Sequence, residues 1–477
     1  MLRKQKQILL LSGIFLFGTF VAAAQETMKL SLQDAMKMAM QNNTNILNSD
    51  LDLKIAQKKV WETLASGLPQ IDAKGAYQHV FKVPTLSFGG QTSLSKELTP
   101  WNNETQSGKI SDVTLDNGET IYLNYKASAP VDLALKNSTT FDFTLSQLIF
   151  SGSYIVGLQA TKVYYGLTKQ NAEKTKLDII ETVTNTYNMI QLAEESRKIL
   201  SQNLENINKT LYETSEMNKQ GFLEQTDVDQ LELTANTVRN AMNQIDSNLD
   251  MGYRLLKIQL GMEDAAKIQL SDTLESGESL TASSVKLFAE SFKIGQNIDY
   301  QLIQTSEKAA KLEMDLAKAS FLPTISGFYN HTEKLKAPTL DFTPKDVVGV
   351  NLSMPIFSSG ERLSVVAQKR MALEKAQNTS KYVSSNLAMQ STQYQNDLKL
   401  KLEKYQNQKK SKELSDDIYQ RTLEKYKQGM ASSMDLMTSQ NQYLTNLTNY
   451  YQSIYDLQGS RSKLEKLFNI NPIAENK

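Results

Sequence analysis

Apolar side chains recur every three or four residues along most of this chain, and every second residue only in a few short stretches. Val228, Leu231, Ala235, Val238, Met242, Ile245, Leu249, Gly252 and Leu256 step 3-4-3-4 through successive heptads. Leu436, Gln440, Tyr443, Leu447, Tyr450, Ile454, Leu457, Arg461 and Leu464 keep that rhythm with two polar exceptions. Sustained patterning of this kind predicts helices packed side by side as in coiled coils. Ahead of each run lies a stretch without proline, 160–220 and 366–428. From Ser153 to Gln220 the first is about 68 residues, or about 100 Å of helix, too long for the core of a small domain. Such a rod has to pack sideways.

The period changes from 3.6 to 2 after Pro69 and Pro323. Ile71, Ala73 and Tyr77 alternate with Asp72, Lys74 and Gln78, and Phe141, Phe143 and Leu145 alternate with Asp142, Thr144 and Ser146. Val348, Val350, Leu352 and Met354 repeat the pattern, with Ile325 and Tyr329 in a weaker stretch before them. These are strands with one apolar and one polar face. They fit either an ordinary amphipathic sheet or tilted membrane-crossing strands of about ten residues.

A fixed spacing shows that the elements occur twice. Lys219-Gln220-Gly221 and Lys427-Gln428-Gly429 stand 208 residues apart, each followed six residues later by an aspartate, Asp227 and Asp435. Leu145–Ser151 resembles Leu352–Ser358 at an offset of 207, and Leu68-Pro69-Gln-Ile71 resembles Leu322-Pro323-Thr-Ile325 at 254. Self-similarity of this kind means tandem copies of one unit. The first repeat, 25–270, is expected to hold helices at about 31–66, 152–220 and 225–260 and strands at about 70–82 and 139–150. A break near Gln41–Asn43 is expected in its first helix. The second, 271–477, is expected to hold helices at about 284–320, 360–428 and 432–468 and strands at about 323–331 and 346–357. Residues 84–138 are a long insertion confined to the first repeat, with a hairpin at Asp116-Asn117-Gly118. The Ser- and Glu-rich link from Met262 to Ser284 is expected on the outside of the helices.

Composition narrows the chemistry. The 52 basic and 52 acidic residues balance, so no charge stripe favours nucleic acid. With no cysteine and two histidines, His79 and His331, thiolate catalysis, disulfides and nitrogen or sulfur metal sites are disfavoured. No phosphate loop, nucleophile elbow or metal pair occurs. Catalytic, cofactor-binding and metal-binding residues are therefore expected to be absent. At the N-terminus, Arg3, Lys4 and Lys6 precede an apolar run, Ile8–Val21, and then Ala22-Ala23-Ala24. That order reads as a signal peptide, 1–24, since about 14 apolar residues fall short of the about 20 that span a membrane as a helix.

Four strands cannot close on themselves in lipid, where every backbone group must be paired. Three chains contributing twelve strands could. In the order helix, strand, strand, rod, turn and return helix, repeated once, the mature chain resembles the TolC-like outer-membrane efflux proteins (outer membrane factors). Leu32-x-x-Ala35, the two Leu-Pro-x-Ile steps, Leu352-Ser-Met-Pro355-Ile-Phe357-Ser-Ser-Gly360 and the two glycine turns carry the likeness. It implies a mostly α fold with a β-barrel part, in which a homotrimer forms a twelve-stranded barrel in outer-membrane lipid of a Gram-negative bacterium. The helical coiled-coil tunnel would lie in the periplasm. The function implied is a channel-tunnel of a tripartite efflux or type I secretion system. Its partners would be a periplasmic adaptor (membrane fusion) protein and an inner-membrane pump such as an RND or ABC transporter.

The resemblance also implies site residues. Tyr426 matches the family's gate tyrosine, and Asp227 and Asp435 match acidic positions at the two turns, while Ala431 and Thr438 replace charged residues of the best-known member. A charge-locked gate is thereby put in doubt. The residues themselves leave a second reading open, because Ser432 and Asp435 have capping-box spacing and both aspartates can cap helices. Gly221 and Gly429 mark the hairpin tips that would dock the adaptor. Pro69 and Pro323 mark the helix-to-strand steps, and Phe150, Gly152, Pro355, Phe357 and Gly360 the strand-to-helix junctions. A secreted coiled-coil structural protein or adhesin is the rival reading, since heptads alone fit it.

Overall fold

A computed structural model describes residues 28–86, 89–128, 131–274, 278–338 and 341–470, so the expected signal peptide lies outside the described residues. In chain order the elements begin with β1 (Met28–Leu30), α1 (Leu32–Asn42), α2 (Thr44–Ala65), β2 (Gln70–His79), β3 (Thr85–Leu86), β4 (Gln91–Ser95), β5 (Gly108–Thr114) and β6 (Thr120–Lys126). Next come β7 (Val131–Asp132), β8 (Asn137–Ser151), α3 (Gly152–Lys219), α4 (Gln225–Gln259) and β9 (Ile268–Leu270). Then follow α5 (Glu278–Ala289), a 3-10 turn at Ile294–Gln296, α6 (Ile298–Ala319), β10 (Thr324–Lys334), β11 (Asp346–Ser353), α7 (Glu361–Lys427) and α8 (Ser433–Leu467). The chain divides into two compact units: 1–55 with 166–307 and 376–477, and 56–165 with 308–375.

The first unit is helical, and the heptad positions form its core. Leu231, Ala235, Val238, Gly252 and Leu256 are buried on α4, as are Leu436, Leu447, Ile454, Leu457 and Leu464 on α8. Two apolar clusters sit at equivalent places in the repeats. One joins Met36 and Ala39 of α1 to Ile180, Val183 and Tyr187 of α3 and Leu256 of α4; the other joins Leu280 and Leu287 of α5 to Leu387 of α7 and Leu464 of α8. The two polar exceptions on α8 find partners. Buried Gln440 donates to Asn203 of α3 (3.2 Å), and Arg461 reaches Glu465 (3.3 Å) and Ser283 (3.0 Å). Tyr443 and Tyr450 stack on Tyr419 and Tyr405 of α7, which makes them packing residues.

Two expectations are corrected in this unit. The single helix expected over 284–320 is α5 and α6, separated by the 3-10 turn and Asn297. Asn297 Oδ1 accepts from Tyr300 N (3.0 Å), capping α6, and its Nδ2 donates to Leu467 O (2.9 Å). α5 has already ended at Ala289, and Asn297 fixes where the next helix begins. The link Met262–Ser284 lies only partly outside: many of its residues are exposed, but β9 pairs in parallel with β1, and Leu270, Leu280 and Ser284 are buried. Its apolar side chains and backbone groups gain more from the core and from β1 than from water.

The second unit is built on an antiparallel sheet in the order β11-β10-β8-β2. Period-two alternation places Ile71, Phe143, Leu145, Tyr329, Val348, Val350 and Leu352 on one face. Lys74, Asp142, Thr144, Asn330 and Asn351 lie on the other. On the polar face Thr144 donates to Asn330 (2.8 Å) and Thr332 to Asp142 (2.5 Å). Among the described residues the apolar face has no core over it: Ile71 is 79% and Val348 80% exposed.

The strand expected over 346–357 stops at Ser353. β10 begins at Thr324, directly opposite Ser353, so residues 354–358 have nothing on that side to pair with. The strand expected over 70–82 likewise ends at His79. The insertion holds more structure than a hairpin. β5 and β6 turn at Gly118 (φ +79°), and β4 joins them in a three-stranded sheet, β4-β6-β5, while β3 pairs with β7.

Candidate functional site

The residues singled out by sequence fall in two places, the sheet-to-helix junctions of the second unit and the helical turns of the first. Pro69 and Pro323 stand immediately before β2 and β10, where the missing N–H ends the preceding helix. Phe150 is the penultimate residue of β8, and the strand passes directly into α3 at Gly152. A side chain at Gly152 would meet Leu322: its Cβ would stand 2.4 Å from Leu322 Cδ1. The second repeat's junction is bare by comparison. Pro355 and Phe357 lie between β11 and α7, Phe357 is 87% exposed, and Ser359 (φ +49°) and Gly360 (φ +84°) make the turn into α7. Beside the sheet, Tyr164 of α3 donates to Glu313 of α6 (2.5 Å), which also accepts from Lys369 of α7 (2.8 Å). The bond to Glu313 and burial push the Tyr164 hydroxyl up to about 12.

The two turns have the same backbone design. Gly221 (φ +80°) and Gly429 (φ +71°) occupy the left-handed region, and Phe222 N donates to Met217 O (3.0 Å) as Met430 N does to Lys425 O (2.8 Å). This is a Schellman-type stop, with glycine where a Cβ would be strained. Each return helix then opens with a capping box. Glu224 N donates to Asp227 Oδ2 (3.3 Å), and Ser432 N and Oγ donate to Asp435 Oδ2 (3.0 and 2.7 Å).

The aspartates differ beyond their caps. Ser433, the first residue of α8, donates through its hydroxyl to Asp227 Oδ1, so Asp227 ties the first turn to the second. Asp435 bonds only Ser432 of its own turn among the described residues. The Ser432 hydroxyl, then its N–H, hold the Asp435 carboxyl below the ordinary carboxylate value. Tyr426 pairs with Thr214 of α3 (2.9 Å) rather than with either aspartate. Thr214, Ser433 and the pair Asn203–Gln440 are thus polar links between the hairpins, of which the sequence marked only Gln440, as a polar residue at a heptad position. The other side chains carry no charge and recur all along the helices, so nothing in the sequence marked them.

Among the described residues no group of acidic and histidine side chains could hold a metal ion, and no helix is long and apolar enough to cross a membrane. His79 and His331 instead lie against Asn137 (2.6 Å) and Asp346 (2.7 Å) across their hairpins.

Residues 295–469 match the family described as outer membrane efflux protein. The second repeat carries an outer membrane efflux protein domain. The solved structures similar to this chain have the same fold along almost its whole length. VceC of Vibrio cholerae, an outer membrane protein, superposes with a TM-score of 0.70 at 13% identity, covering 92% of this chain and 96% of its own. The CmeC outer membrane channel of Campylobacter jejuni gives 0.69 at 16% identity, over 93% and 88%. The MtrE outer membrane channel of Neisseria gonorrhoeae, in its open state, gives 0.65 at 14%, over 92% and 88%. No curated protein matches the chain in sequence. The matched family and these channels are not enzymes, and the long helices and four-stranded sheet of this chain share the fold of those channels.

Proposed function

We propose that three copies of this chain form a channel-tunnel in the outer membrane of a Gram-negative bacterium. Substrates would leave through it from the periplasm. The observation that carries this reading is the sheet β11-β10-β8-β2: one face apolar and bare, the other polar, and both edge strands unpaired. Such a sheet is stable in lipid only if its edges are closed, and three sets of four strands give a ring of twelve. Apolar side chains would then meet acyl chains, with Asp142, Thr144 and Asn330 turned to water. The efflux-protein domain and the fold shared with VceC, CmeC and MtrE support the same reading.

In this role the helical hairpins ending at Gly221 and Gly429 dock a periplasmic adaptor, and through it an inner-membrane pump of the RND or ABC type. Tripartite efflux is favoured over type I secretion by the efflux domain. Tyr426 and Asp227 are the gate candidates, each bonded to a residue of another helix, whereas Asp435 is a cap. Purified protein should run as a heat-modifiable trimer and conduct ions across a planar bilayer. A monomer in detergent that leaves the bilayer silent overturns the proposal and returns the coiled-coil adhesin.

A further inference from the structure

We infer that the free edge of β2 in one copy of this chain pairs with the free edge of β11 in the next, in a register already written inside the chain. The inference rests on the trimeric reading above and names the residues that meet. The two hairpins have the same register: Gln70↔Ser146 becomes Thr324↔Ser353 when 254 and 207, the repeat offsets, are added. Between the hairpins, β8 of the first repeat pairs with β10 of the second. The equivalent partners are β11 and β2, which lie at opposite edges of the sheet and so meet only between copies.

Shifting the β8–β10 pairs by the same offsets gives the contact. Gly327↔Gln147 becomes Ala73↔Met354, His331↔Phe143 becomes Tyr77↔Val350, and Ile325↔Phe150 becomes Ile71↔Phe357. The bulge at Ile149 moves to Ile356. Every transferred pair joins like faces, Tyr77 to Val350 on the apolar side and Lys74 to Ser353 on the polar side. A slip of one residue would set the apolar row of one strand beside the polar row of the other.

The pairing accounts for the bare segment after β11. Residues 147–151, its counterpart, are paired with β10, whereas Ile356 is 94% and Phe357 87% exposed. A neighbour's Gln70–Ala73 supplies the missing strand. Leu322, which covers Gly152 within the chain, corresponds to Leu68, 44% exposed and also followed by proline, placed to cover Ser359 and Gly360 of the next copy.

Because the chain has no cysteine, introduced pairs report this contact alone. Directly opposed Cβ atoms lie about 4.5–5.5 Å apart and diagonal ones about 7–8 Å, so disulfides discriminate register. Chains carrying Ala73→Cys with Met354→Cys, or Tyr77→Cys with Val350→Cys, should give a covalent trimer after mild oxidation, reversed by reductant. Ala73→Cys with Leu352→Cys, or with Ile356→Cys, should give less than a tenth of that yield. Off-register pairs that cross-link equally well in a detergent-stable trimer overturn the register and leave the channel reading intact; wild type that is monomeric overturns both. If a double variant does not assemble, co-expressed Ala73→Cys and Met354→Cys chains must give a disulfide-linked heterodimer, and its absence counts against the contact.

Discussion

Asn43 and Asn297, 254 positions apart, play the same double part, each in its own repeat: a cap bond from the first turn of the helix that follows and a bond to the end of a distant helix. Asn43 Oδ1 accepts from Asn45 N (2.9 Å) and its Nδ2 donates to Gln259 O (2.7 Å); Asn297 does the same with Tyr300 N and with Leu467 O. Gln259 and Leu467 are the last residues of α4 and α8, where carbonyls lack helical partners. One side chain thus starts one helix and finishes another.

Replacing Asn297 with alanine should therefore cost more than a cap alone. Loss of the cap is worth about 1 kcal/mol and a buried carbonyl left unpaired about 1–3 kcal/mol more. Asn297→Ser keeps a cap acceptor but is too short to reach Leu467, and should recover only the smaller part. Asn43→Ala should behave like Asn297→Ala. Thermal melting followed by helical circular dichroism reads the order; a serine variant as stable as wild type would deny the carbonyl bond any weight, and equal loss for Ala and Ser would deny it to the cap.

The long helices and their turns were legible because their signals are local: heptad spacing on α4 and α8, absence of proline, glycine at 221 and 429. Elements that depend on distant partners were not. Residues 354–357 alternate like a strand yet remain outside one, because period-two alternation says nothing about whether a neighbouring strand is present. Asn297 starts α6 through a bond to Tyr300 and finishes α8 through one to Leu467, the latter 170 residues away. The offset that relates Pro69 to Pro323 also relates Asn43 to Asn297, so the repeat held the clue. Strands β1 and β9, three residues each, are too short to show any period. At the turns, spacing revealed the caps of Asp227 and Asp435 but not the Ser433 bond that sets Asp227 apart.

Arginine scanning of β8 should separate the faces of the sheet. Leu145, between Ile71 and Tyr329, lies on the apolar face, and its neighbour Thr144 on the polar one. Leu145→Arg should lower barrel stability by about 2–4 kcal/mol if it meets the bilayer midplane. Thr144→Arg loses one bond to Asn330 but keeps water, and should change conductance or ion preference more than stability. Urea-unfolding in lipid vesicles and bilayer recording test the pair; equal destabilisation would mean that both faces are buried in protein.

Acid should unlock the second turn from one side only. The Asp435 carboxyl is held below 3.8 by the Ser432 hydroxyl and N–H, so its contribution is complete above 3.8 and disappears as pH falls through the lower folded value. Amide exchange at the start of α8 should therefore differ between wild type and Asp435→Ala at neutral pH and converge in acid. Lys466 has the opposite sign. Burial opposes its charge, but the bonds to Asp178 and Glu181 outweigh this and hold its pKa above 10.5. Its contribution is complete below 10.5 and is lost as pH rises through the folded value, so Lys466→Met should matter at neutral pH and cease to matter in strong alkali.

In the proposed channel, the difference between Asp227 and Asp435 predicts which carboxylate would restrain the tunnel. Asp227 caps α4 and also accepts from Ser433, so removing it loses one of the bonds between the hairpins, with Tyr426–Thr214 and Gln440–Asn203 still in place; removing Asp435 loses only the cap of α8. Asp227→Ala and Ser433→Ala should each raise single-channel conductance, and the double variant should open no further than Asp227→Ala, because both remove one bond. Asp435→Ala should leave conductance unchanged while loosening the start of α8, read as faster amide exchange there. If instead Asp435→Ala opens the channel and Ser433→Ala does not, the restraint is the charge of Asp435 in the lumen and the bond between the hairpins is packing alone.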